Sequence, residues 1–236
     1  MLFETNDHIQ QRLVQIDARD ILGRTPLQCA VANLLPSVVD ILLEQGADLS
    51  SFVFPTESHF VERFKERHGQ PNFHLRLASG LMSILESLQK KGYELKRSDA
   101  LMIMKFFANY GLFEKDASLV QRLRDDENFS IEAKNIKIMQ DLTMYDLIQL
   151  RPKQAAKQLA FTDYFKLCNQ LPINNYEAYG RHMSEKLSRR FFSSWALDTF
   201  CELIHYRLSI EICDMIIENL NNEVLYNICL ASTGQN

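Results

Sequence analysis

The segment that most constrains this chain is residues 17 to 49, DARDILGRTPLQCAVANLLPSVVDILLEQGADL. It is punctuated like two very short helices between tight turns. Gly23 suits a tight turn. Thr25 has the side chain of a helix N-cap, and Pro26 fits a first helical position, where its missing N–H costs nothing. Leu27, Ala30 and Val31 give one short apolar face. A break follows from Asn33 to Pro36. Val38, Val39, Leu42 and Leu43 then form a second amphipathic face, and Gly46 ends that helix with a residue that tolerates a left-handed cap.

This pattern closely resembles an ankyrin repeat, whose signature is T-P-L-H-x-A. The residues here are Thr25, Pro26, Leu27, Gln28, Cys29 and Ala30, with Gln28 in place of the histidine and a polar side chain retained. The segment VVDILLEQGAD corresponds to the family's second helix and outgoing loop. Gly23, Thr25, Pro26, Leu27, Ala30 and Gly46 are the structural motif that the resemblance implies. By position in the repeat, Arg19, Ile21, Arg24 and Gln28 are candidates for contact with a target protein.

One such unit cannot bury its own faces, so further units are expected. The stretch SILESLQKKGYEL (83–95) aligns with the end of the first unit: Gly92 with Gly46, Glu94 with Asp48, Leu95 with Leu49. An insertion around FPTESHFVERFKERHGQP accounts for the longer spacing. A further helix is expected over 98–113, capped by Ser98 and ended at Gly111. DHIQQRLVQI, upstream of Asp17, is expected to supply an N-terminal helix covering the exposed face of the first repeat. Residues 114–129 look like a charged, turn-prone linker. The expected divisions are 1–50 (ankyrin repeat with N-terminal helix), 51–130 (degenerate ankyrin-like helices and linker) and 131–236 (a separate helical domain).

The second half shows helical periods as well. Ile136, Met139, Leu142 and Tyr145 fall at helical spacing, and Thr143 fits a helix restart. From Tyr176 to Ile204 there is enough apolar material for a helical core. The stretch YRLSIEICDMIIENLNNEVL (206–225) has apolar residues sweeping roughly 220° of a helix, against the usual stripe of little over 100°. Leu208, Ile212, Met215 and Ile216 fall on one side, and Ile210, Cys213, Ile217 and Leu220 on the other. Glu211, Asp214 and Glu218 mark a solvated strip. Such a helix either sits within its own core or keeps one side for a partner.

Taken with the repeat, this order resembles the ankyrin proteins of parasitoid wasps and poxviruses that end in a PRANC domain. Their last segment is F-box-like, L-P-x-E-I-x-x-x-I-x-x-x-L-x-x-x-x-L. Leu208, Glu211, Ile212, Ile216, Leu220 and Leu225 occupy those places here, and Ser209 stands where the family has proline. The resemblance implies an all-α chain: a short ankyrin solenoid, then a C-terminal helical domain ending in an F-box-like hairpin over 206–230. It implies a non-catalytic adaptor. The ankyrin surface selects a target protein, and Leu208, Ile212, Ile216, Leu220 and Leu225 dock the linker subunit of an SCF-type cullin–RING ubiquitin ligase. The alternative is an ankyrin module that masks a signalling partner, of the NF-kappa-B-inhibitor type, without ubiquitin chemistry.

Composition limits the other classes. A net charge of −4 argues against general nucleic-acid binding, which needs a basic face for phosphates. No stretch approaches the roughly 18 apolar residues of a membrane span. The N-terminus lacks the pattern of a signal peptide. Five scattered cysteines without C-x-x-C spacing indicate buried thiols in a reducing compartment, so a cytoplasmic or nuclear location is expected. A SOCS-box reading matches Leu197 and Cys201 but meets His205 where an apolar residue belongs. Cys201 and His205 also share a helix face at i, i+4, yet a metal site needs more ligands than these two. No nucleotide-binding, metalloprotease or nucleophile-elbow motif occurs, so no catalytic residue, metal or cofactor is expected. The basic stretch RHMSEKLSRR (181–190) fits a solvated helix face, with a nuclear-localisation patch as the other reading.

Overall fold

The local chemistry of the first helical pair is set by its caps. In this computed structural model Thr25 accepts a hydrogen bond from the Gln28 N–H at 3.2 Å, and Gln28 Oε1 accepts one from the Thr25 N–H at 2.9 Å. This is a reciprocal capping box, in which the glutamine supplies the second half. It opens α1 (Pro26–Ala32), and α2 (Pro36–Glu44) follows and packs against it. Gly46 ends α2 at φ +88°, with Gly46 N–H bonded to Leu43 O and Ala47 N–H to Leu42 O. That pair of bonds is a Schellman closure.

The structure describes residues 15–64, 72–114, 119–168, 171 and 176–232. Helices make up 68% of the described residues and strands 3%. After α2 come α3 (Glu57–Phe64), α4 (Phe73–Lys90) and α5 (Arg97–Asn109). α6 (Leu119–Asp125) and α7 (Glu127–Asn135) lead to a small hairpin of β1 (Lys137–Met139) and β2 (Leu142–Thr143). α8 (Met144–Gln149), α9 (Pro152–Gln158) and α10 (Phe161–Leu167) precede the longest helix, α11 (Tyr176–Leu203). The described chain closes with α12 (Ile210–Glu218) and α13 (Asn222–Ala231).

Two helices organise this arrangement. α4 packs between α2 and α10 and lies along α11. It buries Leu75, Ala78, Leu81, Ile84 and Leu88 almost completely. α11 packs in turn on α13, α12 and α9. Buried side chains from both halves of the chain form one connected core. The expected division near residue 130 therefore does not coincide with a break in packing.

Several expectations are corrected. The helix expected through Ile136, Met139 and Leu142 is instead the β1–β2 hairpin, with Met144 N–H bonded to Ile136 O at 2.9 Å. Helical spacing over so few residues also suits a bulged hairpin whose alternate side chains are half-exposed. The helical restart at Thr143 is present: Thr143 and Asp146 form a capping box that opens α8. Of the charged linker over 114–129, residues 119–125 and 127–129 are helical, because Leu119, Leu123 and Phe129 are buried and Asp126 caps α7 through the Phe129 N–H. The helix containing residues 98–109 begins at Arg97, one residue before Ser98, since the Asp99 carboxylate reaches back to the Lys96 N–H. The N-terminal helix expected within DHIQQRLVQI falls mostly outside the described residues.

The basic stretch of α11 is also corrected. His182, Lys186 and Arg189 are buried. Lys186 Nζ donates to the carbonyls of Ile148 and Leu150, at the C-terminal end of α8. Arg189 Nη2 donates to the Ile217 carbonyl, at the C-terminal end of α12, at 2.7 Å. Each cation thus meets the negative end of a short helix, where carbonyls lack helical partners. His182 Nδ1 lies 2.9 Å from the Glu114 carboxylate.

Candidate interaction surfaces

The first candidate surface is the tip of the loop before α1. Asp20 builds it. Its Oδ1 accepts from the N–H groups of Leu22 and Arg24, both at 2.9 Å, and its Oδ2 accepts from Arg24 Nε at 2.8 Å. Gly23 takes φ +75° and donates its N–H to Asp20 O. These backbone bonds and the Arg24 guanidinium hold the Asp20 carboxyl below its ordinary range. The result is a tied turn that leaves Ile21 and Leu22 wholly or largely in solvent. Arg19 spans the turn to the Gly23 carbonyl.

Of the four candidate target contacts, Arg19 and Ile21 are exposed, while Arg24 and Gln28 are half-buried. Arg24 is paired with Asp20. Gln28 uses both ends of its amide internally, Oε1 at Thr25 and Nε2 at the Val53 carbonyl, 3.1 Å away. Leu22 belongs with Ile21 at the tip. Its position beside a motif glycine was the available signal, and the repeat pattern alone did not single it out.

The second candidate surface is the elbow between α11 and α12. α11 closes with Tyr206 N–H bonded to Cys201 O at 2.9 Å and His205 N–H to Glu202 O at 3.0 Å. His205 and Tyr206 both take φ +54°. A left-handed non-glycine residue is strained, and two in succession make a sharp reversal. His205 therefore lies beyond the helix, so it shares no helix face with Cys201 and extends no SOCS-like pattern along α11.

The reversal lays α12 along the end of α11. Cys213 and Ile217 are fully buried against it. The opposite side of α12 is open: Ile212 and Met215 are 46% and 65% exposed, and Ile210, on the Cys213–Ile217 side but in the first turn of the helix, is 51% exposed. Leu203, Tyr206 and Leu208 continue this surface around the elbow, with Tyr206 71% exposed. The two apolar sides legible in the sequence are thus distinguished. The outer one carries Leu208, Ile212 and Met215.

Of the five candidate docking residues, Leu208 and Ile212 are exposed, Ile216 and Leu220 are half-buried, and Leu225 is fully buried in α13. Leu225 is accordingly a core residue. Tyr206, Ile210 and Met215 are the exposed apolar residues that the motif alignment passed over.

A buried polar node holds the elbow in place. Asn222 donates its backbone N–H to Glu185 Oε1 at 2.6 Å and its side-chain amide to Glu185 O and Ser188 Oγ, both at 3.0 Å. Its Oδ1 accepts from Arg189 Nη1 at 3.2 Å. With the Arg189–Ile217 bond, these contacts fasten both ends of the α12–α13 turn to α11. On the other side, Lys153 of α9 pairs with Glu218 and Asp214 of α12. Burial raises the Glu185 carboxyl to about 7, against the opposing pull of the Asn222 N–H and Arg189. Burial lowers Lys186 to about 8.

Cys201 and Cys213 face each other across the α11–α12 contact. Burial, with the Cys213 thiol beside it, pushes the Cys201 thiol up to about 11. A raised thiol keeps its proton and is a weak nucleophile. Among the described residues, no three His, Cys, Asp or Glu side chains come together to hold a metal ion. No helix among them is long and apolar enough to cross a membrane. No family model, curated protein or solved structure matches this chain.

Proposed function

We propose that the chain is a non-catalytic interaction adaptor with two docking surfaces. The elbow surface engages the linker subunit of an SCF-type cullin–RING ubiquitin ligase, and the Ile21–Leu22 tip engages a target protein. One observation carries this reading: Leu203, Tyr206, Leu208, Ile210, Ile212 and Met215 expose large apolar side chains within thirteen residues of chain. Contiguous apolar surface on a folded protein marks an interaction site more often than chance exposure. An outward helix face with anchors spaced three and four apart suits a hydrophobic groove. The F-box-like spacing of Leu208, Glu211 and Ile212 selects the ligase linker as the partner.

The work of such an adaptor is proximity. Holding a target beside the ubiquitin-charged subunits raises its effective concentration without any chemistry by the adaptor itself. The tip supports the second contact. A rigid turn that presents two apolar side chains loses little conformational entropy on binding.

The test is capture of the purified linker subunit by the purified full chain, repeated with Ile212→Asp and Met215→Asp together. The wild type is expected to bind and the folded double variant to lose binding by at least tenfold. Absence of linker binding by the folded wild type sinks the adaptor reading. Full binding by the folded double variant moves the docking site away from the elbow.

A further inference from the structure

Two of the free cysteines meet at the elbow. Cys201 lies in the last turn of α11 and Cys213 on the inner side of α12, and their thiols are in hydrogen-bond contact. The two helices pack against each other there, and the thiols are 3% and 0% exposed. Cys168 and Cys229 are engaged elsewhere: Cys168 Sγ donates to the Tyr164 carbonyl at 3.6 Å, and the Cys229 thiol bonds Thr199. Thiols in hydrogen-bond contact are one short movement from the roughly 2 Å of a sulfur–sulfur bond. The chain between them can supply that movement, since it turns through His205 and Tyr206, both at φ +54°. Strain held in such a turn is released when the packing over it loosens.

We propose that Cys201 and Cys213 are a redox-responsive pair, and that their oxidation by a small-molecule disulfide latches α12 onto α11. The reaction is thiol–disulfide exchange. Cys201 gives up its proton, and its sulfur attacks one sulfur of the small disulfide. That sulfur–sulfur bond breaks, and one small thiol leaves with a proton. Cys213 then attacks the Cys201 sulfur of the mixed disulfide, forms the Cys201–Cys213 bond and expels the second small thiol. Two protein thiols are oxidised and one small disulfide is reduced to two thiols. The closed elbow shields both sulfurs, so reaction proceeds through local openings of α12. The bond closes a loop of thirteen residues, 201 to 213, and so restricts those openings. Ile212 and Met215 stand on the other side of α12 from Cys213, so the latch holds the docking helix in place without covering it. This bearing on docking rests on the adaptor reading; the bond itself does not.

The test uses the purified full chain under native conditions, incubated with oxidised glutathione, alkylated and mapped by mass spectrometry. A peptide pair joining Cys201 to Cys213 is expected to accumulate. The α12 amides are expected to exchange at least tenfold more slowly, Tm is expected to rise by about 5–10 °C, and dithiothreitol is expected to reverse both. Cys213→Ser is expected to abolish these changes and Cys29→Ser to leave them intact. Glutathione retained on Cys201 or Cys213 without a link, a link to any other cysteine, or no oxidation of the folded wild type overturns the pair. A Cys201–Cys213 link with unchanged α12 exchange overturns the latch. These outcomes require no variant to fold. Capture of the ligase linker by the reduced wild type is measured separately: its failure sinks the adaptor reading, whereas failure of the link sinks only the proposal made here.

Discussion

Gly46, Gly92 and Gly111 end α2, α4 and α5 with the same backbone device. Each takes positive φ, and the residue after it donates back to the helix, at Leu42, Leu88 and Phe107 respectively. A Cβ at Gly92 meets no neighbour within 4 Å, so the objection to a side chain there is conformational alone. Gly92→Ala is expected to cost about 1 kcal/mol, read as a lower urea midpoint. Gly180 is the opposite case. It lies inside α11 without positive φ, and a Cβ there would meet His74 and Leu75 at ordinary contact distance, 3.6 Å. Gly180→Ala is expected to stabilise by about 0.5–1 kcal/mol in the same titration. The three terminal glycines were legible in the sequence because few other residues take that conformation cheaply. Leu34 and His205 close α1 and α11 in the same way at φ +49° and +54°. Nothing in their residue type announces it, and so the true end of α11 was not legible.

At the scale of elements, α11 shows why charge patterns mislead. A helix contacted by α4, α13, α12 and α9 has no single solvated side, and its polar residues are placed by helix ends and not by water. Arg189→Met would remove the partner of the Ile217 carbonyl, Asn222 and Glu185 together. It is expected to cost about 3 kcal/mol or more, since it leaves a buried acid unpaired. The node also titrates. Glu185 is raised from its ordinary value to about 7, so between about 4.5 and 7 the folded chain binds more of a proton than the unfolded chain at this site. Its contribution to stability therefore falls as pH rises through that window. Lys186, lowered to about 8, acts in the other sense at alkaline pH: its burden is fully present below 8 and is relieved as pH rises towards its ordinary value. Glu185→Gln keeps an acceptor for the Asn222 N–H and is expected to remove the acidic part of this dependence. The comparison is Tm against pH for variant and wild type between 4.5 and 7. The helical pair at 26–44 and the restart at Thr143 were readable because caps and turns are local. The β1–β2 hairpin was not, because Ile136, Met139 and Leu142 satisfy either period over so short a run.

For the whole molecule, the elbow makes a prediction that separates surface from core on one helix. Met215→Asp is expected to change stability by less than about 0.5 kcal/mol, because the side chain stands in solvent. Ile217→Asp, two residues on and fully buried, is expected to cost about 4 kcal/mol or more by placing an unpaired charge in the core. Urea unfolding of the two variants checks the assignment of inner and outer sides, which periodicity alone left open. The long contact between α4 and α11 has a consequence of another kind. α4 comes from the first half of the chain and α11 from the second, and each covers side chains that the other would otherwise leave in water. A break near residue 130 would give two fragments, each with half of a seam. Neither is then a portable module: grafted alone onto another protein, the first half would carry the bare face of α4 with it. Co-expressed, the two fragments should find each other and reassemble, as split reporters do.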